Sequence, residues 1–213
     1  MKTGDLVAML ATGAGAVDAG AQTRRLVVAL ACGTLASALL MAVLLGVRPT
    51  LARDAVLPMF WIKAAFCALL AWAGLLAVRR LSRPGTPLGW APAGLAAPLI
   101  VMWALAAAAL AGAEPAARAQ LFYGQTAASC PLLIAMLSVP LFVALTWVMS
   151  ELAPTRLRLA GAAVGAASGA IGALVYTLHC PELAAPFLGF WYVLGMVIPA
   201  LAGLWLGPRL LRW

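Results

Sequence analysis

Apolar residues in this chain come in long unbroken runs, not in the alternation of a half-buried strand or the narrow stripe of a soluble amphipathic helix. Six runs stand out, at 26–47, 56–78, 92–113, 130–149, 157–178 and 187–207. Each is near the length of about 20 helical residues that crosses a hydrocarbon core. A bilayer tolerates backbone polar groups only inside helices or closed barrels, and Ala, Leu, Val and Gly without a period of two favour helices. The expected fold is all-α: a polytopic membrane protein built as a six-transmembrane-helix bundle. Residues 1–25 are mixed in character and precede a full-length apolar run, so that run is expected to stay in the membrane and not to be cleaved as a leader. Two parts follow, a head at 1–25 and a transmembrane domain at 26–213.

Within the head, Leu6, Val7, Met9 and Leu10 fall at i, i+3 and i+4 spacings. They predict one short helix after Thr3, loosened by Gly13, Gly15 and Gly20. Its apolar stripe requires something to lie against: the bilayer surface, the bundle, or another protein.

Composition strengthens this picture. The chain is 65% hydrophobic and only 9% charged, with a mean hydropathy of +1.04. No soluble core of 213 residues could hide that much apolar surface. Charge then orients it, because short cytoplasmic loops retain Lys and Arg. One side holds Lys2, Arg24, Arg25, Arg79, Arg80, Arg83, Arg156, Arg158, Arg209 and Arg212, the other Arg48, Arg53, Lys63 and Arg118. Both termini are therefore expected in the cytoplasm of a bacterium, with the protein multi-pass in its inner membrane. Asp5, Asp18 and Glu151 lie inside and Asp54, Glu114 and Glu182 outside, so the net charge of +8 sits mainly on the inner face. Anionic lipid accounts for that excess. The basic residues are scattered at helix ends and not gathered on a folded module, which argues against direct nucleic-acid binding.

Gly161, Gly165 and Gly169, at four-residue spacing with Ser168 and Gly172 nearby, mark a face of the fifth helix where a neighbouring backbone comes close, most simply one in the same chain. Pro140, mid-span in the fourth helix, is expected to bend it.

Chemistry concentrates at the outer boundary. Cys130 opens the fourth helix in Ser-Cys-Pro, and Cys180 closes the fifth in His-Cys-Pro-Glu. A short inner loop around Pro154 makes these helices antiparallel neighbours. Cys130 lies 24 residues before Pro154 and Cys180 26 after it, so the thiols reach similar depth. The pair fits a structural disulfide or a thiol pair that reports oxidants. Cys32 and Cys67, within apolar spans, read as small packing residues. His179 and Glu182 flank Cys180, but one histidine, a carboxylate and two distant thiols do not make a closed zinc spacing. No constitutive metal site is expected; transient capture of a thiol-seeking ion is the alternative. Lys63 near the outer end of the second helix is expected to snorkel to the headgroups. With Arg48, Trp61, Trp191 and Tyr192 it either frames the cysteines or, for the aromatic members, belongs to the interfacial belt.

No span carries the central carboxylate, His or Arg set of an ion pathway, and Cys-x-x-Cys is absent, which disfavours a transporter and a quinone-linked thiol enzyme. One histidine is a poor basis for haem. No cofactor and no catalytic residue are expected.

Several strings together carry a resemblance. They are Gly4-Asp5-Leu6, Gly46-Val47-Arg48-Pro49, Phe60-Trp61-Ile62-Lys63, Arg83-Pro84-Gly85, Leu178-His179-Cys180-Pro181-Glu182, Trp191-Tyr192 and Gly207-Pro208-Arg209. Over essentially its whole length the chain resembles the NrsF-type membrane anti-sigma factors. That resemblance implies a six-helix inner-membrane protein that holds an extracytoplasmic-function sigma factor and releases it under oxidative or heavy-metal stress. It implies that Cys130 and Cys180 are the paired sensor cysteines; His179, Glu182, Lys63 and Arg48 are their candidate neighbours. Sigma contact is expected from the head, with Asp5, Leu6, Met9 and Leu10 as the candidate residues and the 79–83 loop able to share it, although this chain has Gly4 where family members tend to carry a second acid. The remaining alternatives are a membrane thiol redox protein and a structural protein clamped by an outer disulfide.

Overall fold

The computed structural model describes residues 3–12, 20–152 and 154–212. Lys2, Gly13, Gly15 and Asp18 lie outside the described residues, as does the side chain of Leu10. Among the described residues the chain is helical with no strand. It comprises α1 (Thr3–Thr12), α2 (Ala21–Leu44), α3 (Leu51–Asp54), α4 (Pro58–Leu81), α5 (Ala91–Gly112), α6 (Pro115–Tyr123), α7 (Cys130–Ser150), α8 (Leu157–Tyr176), α9 (Ala185–Phe187) and α10 (Val193–Leu210). A π-helical turn, Leu188–Tyr192, joins α9 to α10. Six helical stretches are long and apolar enough to span a membrane, the last being Ala185–Leu210.

The ends depart from the expected spans for local reasons. Proline at the first turn, where its missing N–H costs nothing, starts α4 at Pro58 and not at Val56. Helix α2 begins at Ala21, five residues before the apolar run, and brings Arg24 and Arg25 onto the helix. Helix α8 stops at Tyr176, two residues short, because the chain turns there to place His179 and Cys180. The short helices α3 and α6 were not expected, being polar connections with too few residues to show a period.

Helix α8 is the hub: it packs against α4, α7 and α10, and most of its residues are buried. Small residues make this possible. A Cβ on Gly161 or Gly203 would collide with the other's carbonyl oxygen, and one on Gly165 would collide with that of Pro199. One on Gly169 would fall 2.8 Å from the Met196 oxygen. The partner of the glycine stripe is therefore α10 of the same chain, at backbone-to-backbone contact. Gly74 brings α4 equally close to Ala167 on another side of α8. Helix α2 lies outside this hub, mainly against α7, where Gly33 seats on Leu141 and Ser37 donates to the Leu137 carbonyl at 2.8 Å. Helix α5 rests on α4 and α9. Pro140 lies within α7 without ending the helix.

The connections sort to two ends of the bundle. At one end Gln22 donates to Ser82 at 3.0 Å and Arg25 pairs with Glu151. At the other, the 45–57, 113–129 and 177–184 connections meet around the cysteines. Helix α1 forms where the head stripe predicts it, and Leu6, Val7 and Met9 are all exposed.

Candidate functional site

Cys130 is the first residue of α7, its N–H bonded to the Thr126 carbonyl at 2.9 Å, and Pro131 follows at the first turn. Cys180 ends the turn after α8, its N–H bonded to the Tyr176 carbonyl at 3.0 Å. Both side chains are fully buried and hydrogen-bond to one another. The expected match in depth is thus an actual contact, and the two thiols are free.

Two cations hold the Cys180 backbone. Arg48 Nη1 donates to the Cys180 carbonyl at 2.6 Å and Lys63 Nζ donates to the same oxygen at 3.0 Å. Lys63 also donates to the Glu182 carbonyl at 2.9 Å and lies 4.7 Å from the centre of the Tyr192 ring. It is fully buried, which corrects the expected snorkelling. Two carbonyls and an aromatic face satisfy the ammonium inside the bundle, so it has no need to reach the headgroups. Arg48 is nearly buried, 3.4 Å from Asp54 and 5.5 Å from the centre of the Phe60 ring.

The 178–180 turn is further lashed to the outgoing end of α2. The Arg48 N–H donates to the Leu178 carbonyl at 3.2 Å, and His179 Nδ1 bonds the Gly46 carbonyl at 2.9 Å. Glu182 accepts the Gln125 N–H at 2.7 Å, beneath Gly124, whose φ of 52° and lack of a Cβ admit the carboxylate.

Charge acts on Cys180 in one direction. The hydrogen bond from Cys130 lowers its thiol to about 5 against the opposing effect of burial; Lys63 and the Tyr192 hydroxyl contribute the same way. That hydroxyl is buried beside the sulfur without another partner. Such a pair can carry reversible thiol–disulfide chemistry. No group of three or more His, Cys, Asp or Glu that could hold a metal occurs among the described residues.

Cys130, Cys180, His179, Glu182, Lys63 and Arg48 are therefore brought together. Asp5, Leu6, Met9 and Leu10 are not among them; they lie on α1, which precedes α2 in the chain. Tyr192 belongs to the site and not to an interfacial belt, because it is fully buried under Lys63. Trp61 is exposed and donates to the Ala55 carbonyl, as a belt residue would, and Trp191 bonds the Phe122 carbonyl. Cys67 packs in the hydrophobic core as expected, one helical turn along α4 from Lys63. Cys32, by contrast, is exposed on the outside of the bundle.

A fully helical bundle with a buried thiol pair at the end away from its termini is the setting in which the comparisons with known proteins fall. The family model described as negative regulator of sigma F matches residues 10–213, and the chain belongs to that family. It is 55% identical, over all of both chains, to the probable anti-sigma-F factor NrsF of Azospira oryzae. It is 40% identical, again over all of both chains, to the anti-sigma-F factor NrsF of Caulobacter vibrioides. No solved structure matches.

Proposed function

We propose that this chain is a membrane-bound anti-sigma factor that sequesters an extracytoplasmic-function sigma factor and releases it when Cys130 and Cys180 meet oxidative or heavy-metal stress. The observation that carries the reading is full-length similarity to two proteins named as anti-sigma-F factors. The six apolar helices support a place in the bacterial inner membrane, and the Lys and Arg asymmetry supports cytoplasmic termini. Residues 1–25 act as the cytoplasmic head and the remainder as the transmembrane domain. The exposed Leu6 and Met9, with Asp5 and Leu10 on the same helix, form the sigma-binding surface.

Release requires the two thiol states to differ in sigma affinity, because a change that affects both equally shifts no population. The lashings from Leu178 and Cys180 to Arg48 supply the connection. A new Cys130–Cys180 bond displaces the turn that holds the outer end of α2, and α2 leads to the head. The test is co-purification of the sigma factor encoded beside this chain, from membranes before and after peroxide or heavy-metal exposure. Capture that falls on exposure supports the proposal; the absence of capture in either state overturns it.

A further inference from the structure

The buried lysine invites a more specific assignment within the thiol pair. An ammonium in the interior of a helix bundle is held there against a large desolvation cost, so its partners define its role. Lys63 touches no carboxylate among the hydrogen bonds and ion pairs of this structure: its acceptors are the carbonyls of Cys180 and Glu182, and Tyr192 covers it. Three thiols lie near it, those of Cys180, Cys67 and Cys130. Negative charge on one of those sulfurs is the balance it lacks.

Position separates the three. Cys180 is the thiol whose backbone Lys63 and Arg48 both grip, whose sulfur accepts from Cys130, and which has the buried Tyr192 hydroxyl beside it. The next residue, Pro181, is exposed, so Cys180 lies one residue beneath the surface. Cys130 donates to Cys180 and has the Thr126–Ser129 turn over it. Cys67 is on α4, a turn further from that surface than Lys63. The other charged or titratable neighbours are Glu182 in the same turn, Tyr176 at the end of α8, and His179, which is turned to Gly46.

One more feature points to a small ligand. Among the described residues, the buried side-chain polar atoms without partners are Arg48 Nε and Nη2 and Thr126 Oγ1, and the Tyr192 hydroxyl has none besides the Cys180 sulfur. All belong to residues that contact Cys130 or Cys180. Buried polar groups are seldom left unmade in native proteins, and here they belong to residues gathered about the cysteine pair. A hydroperoxide, both donor and acceptor and small, matches them.

We propose that Lys63 makes Cys180 the attacking thiolate of this pair and that Cys130 is the resolving thiol. The Cys180 sulfur attacks one oxygen of a hydroperoxide; the O–O bond breaks, and the leaving alkoxide or hydroxide takes a proton to depart as alcohol or water. Cys180 is then a sulfenic acid. The Cys130 sulfur attacks it, forming the disulfide and expelling water that carries the sulfenic oxygen and the Cys130 proton. Lys63 is a positioning residue throughout, fixing the turn and its charge balance. This assignment takes its purpose from the sensing reading above, but its chemistry is measured without any sigma factor.

The test uses full-length protein in lipid nanodiscs, hydrogen peroxide as the oxidant and a cyclic 1,3-diketone to trap sulfenic acid, with peptides read by mass spectrometry. Cys130→Ser is expected to accumulate trapped adduct at Cys180, whereas Cys180→Ser shows little at Cys130. Adding Lys63→Met to Cys130→Ser should slow trapping by about tenfold or more, and Lys63→Arg should restore part of it. Equal trapping in the two single-cysteine variants overturns the assignment of the attacking thiol without needing any change at Lys63. Unchanged trapping in folded Lys63→Met overturns the role of the lysine. Normal trapping at Cys180, with sigma capture indifferent to oxidation, would instead leave this chemistry standing and remove the sensing role.

Discussion

Lys63 Nζ and the Cys180 carbonyl oxygen are 3.0 Å apart, joining the outer half of α4 to the turn between α8 and α9 inside the bundle. The lysine thus locks the geometry around the cysteine pair as well as its charge. Arg48 reaches the same oxygen from the connection between α2 and α3, so the carbonyl of Cys180 is the point where that connection, α4 and the turn after α8 are tied.

Cutting one of those ties is expected to loosen this end of the protein. Arg48→Met leaves Asp54 without its cation and the turn without its link to α2, at a cost of about 2–4 kcal/mol for a buried, charge-assisted contact. The thermal midpoint of purified protein should fall. Cleavage by a protease added to the outer face should rise within residues 45–57. Arg53→Met, on the exposed side of the same loop, serves as the control.

Cys130→Ser with Cys180→Ser should separate capture from release. Sigma factor should co-purify from unstressed membranes at the wild-type level, because the head is untouched, and should remain bound after peroxide. Release that persists in the double variant would remove these cysteines from the mechanism.

The head makes the complementary prediction. Leu6 and Met9 are exposed on α1, so Leu6→Ser with Met9→Ser should leave folding unchanged and reduce capture by tenfold or more, about 1.4 kcal/mol per factor of ten. Equal capture by this variant and the wild type would move the contact to the loops between helices.

The reactivity of Cys180 should depend on pH in a defined sense. Its thiolate is stabilised in the folded protein by the Cys130 hydrogen bond, so the reactive form persists to lower pH than in an ordinary thiol and is lost as pH falls through the depressed value. Alkylation of Cys180 by iodoacetamide in reduced protein should therefore rise at lower pH than alkylation of the same thiol in unfolded protein. Cys130→Ala removes the donated hydrogen bond and should shift the rise toward higher pH.

Much of the fold was legible because apolar run length is a one-dimensional signal and needs no partner. The glycines at 161, 165 and 169 were equally plain, since four-residue spacing of small residues has one physical use in such a helix. What was hidden is rotation about each helix axis. Helix α4 is apolar nearly all round, so nothing in its sequence distinguishes a lysine reaching outward to headgroups from one turned inward under Tyr192. Tyr192 was obscured by the π-helical turn, which changes the phase of the last helix by an extra residue that no pattern of apolar positions announces.

The lashing of Arg48 and Gly46 to the 178–180 turn has a mechanical consequence. Helix α2 holds 24 residues and so extends about 36 Å, a stiff rod lying outside the hub. Fastened at its far end to the cysteine turn and at its near end through Gln22 and Arg25, it spans the bundle from one cluster of connections to the other. Its bed along that length is α7, reached through Gly33 and Ser37, and not the rigid pair of α8 and α10. A shift of the 178–180 turn would therefore be felt first along this one helix.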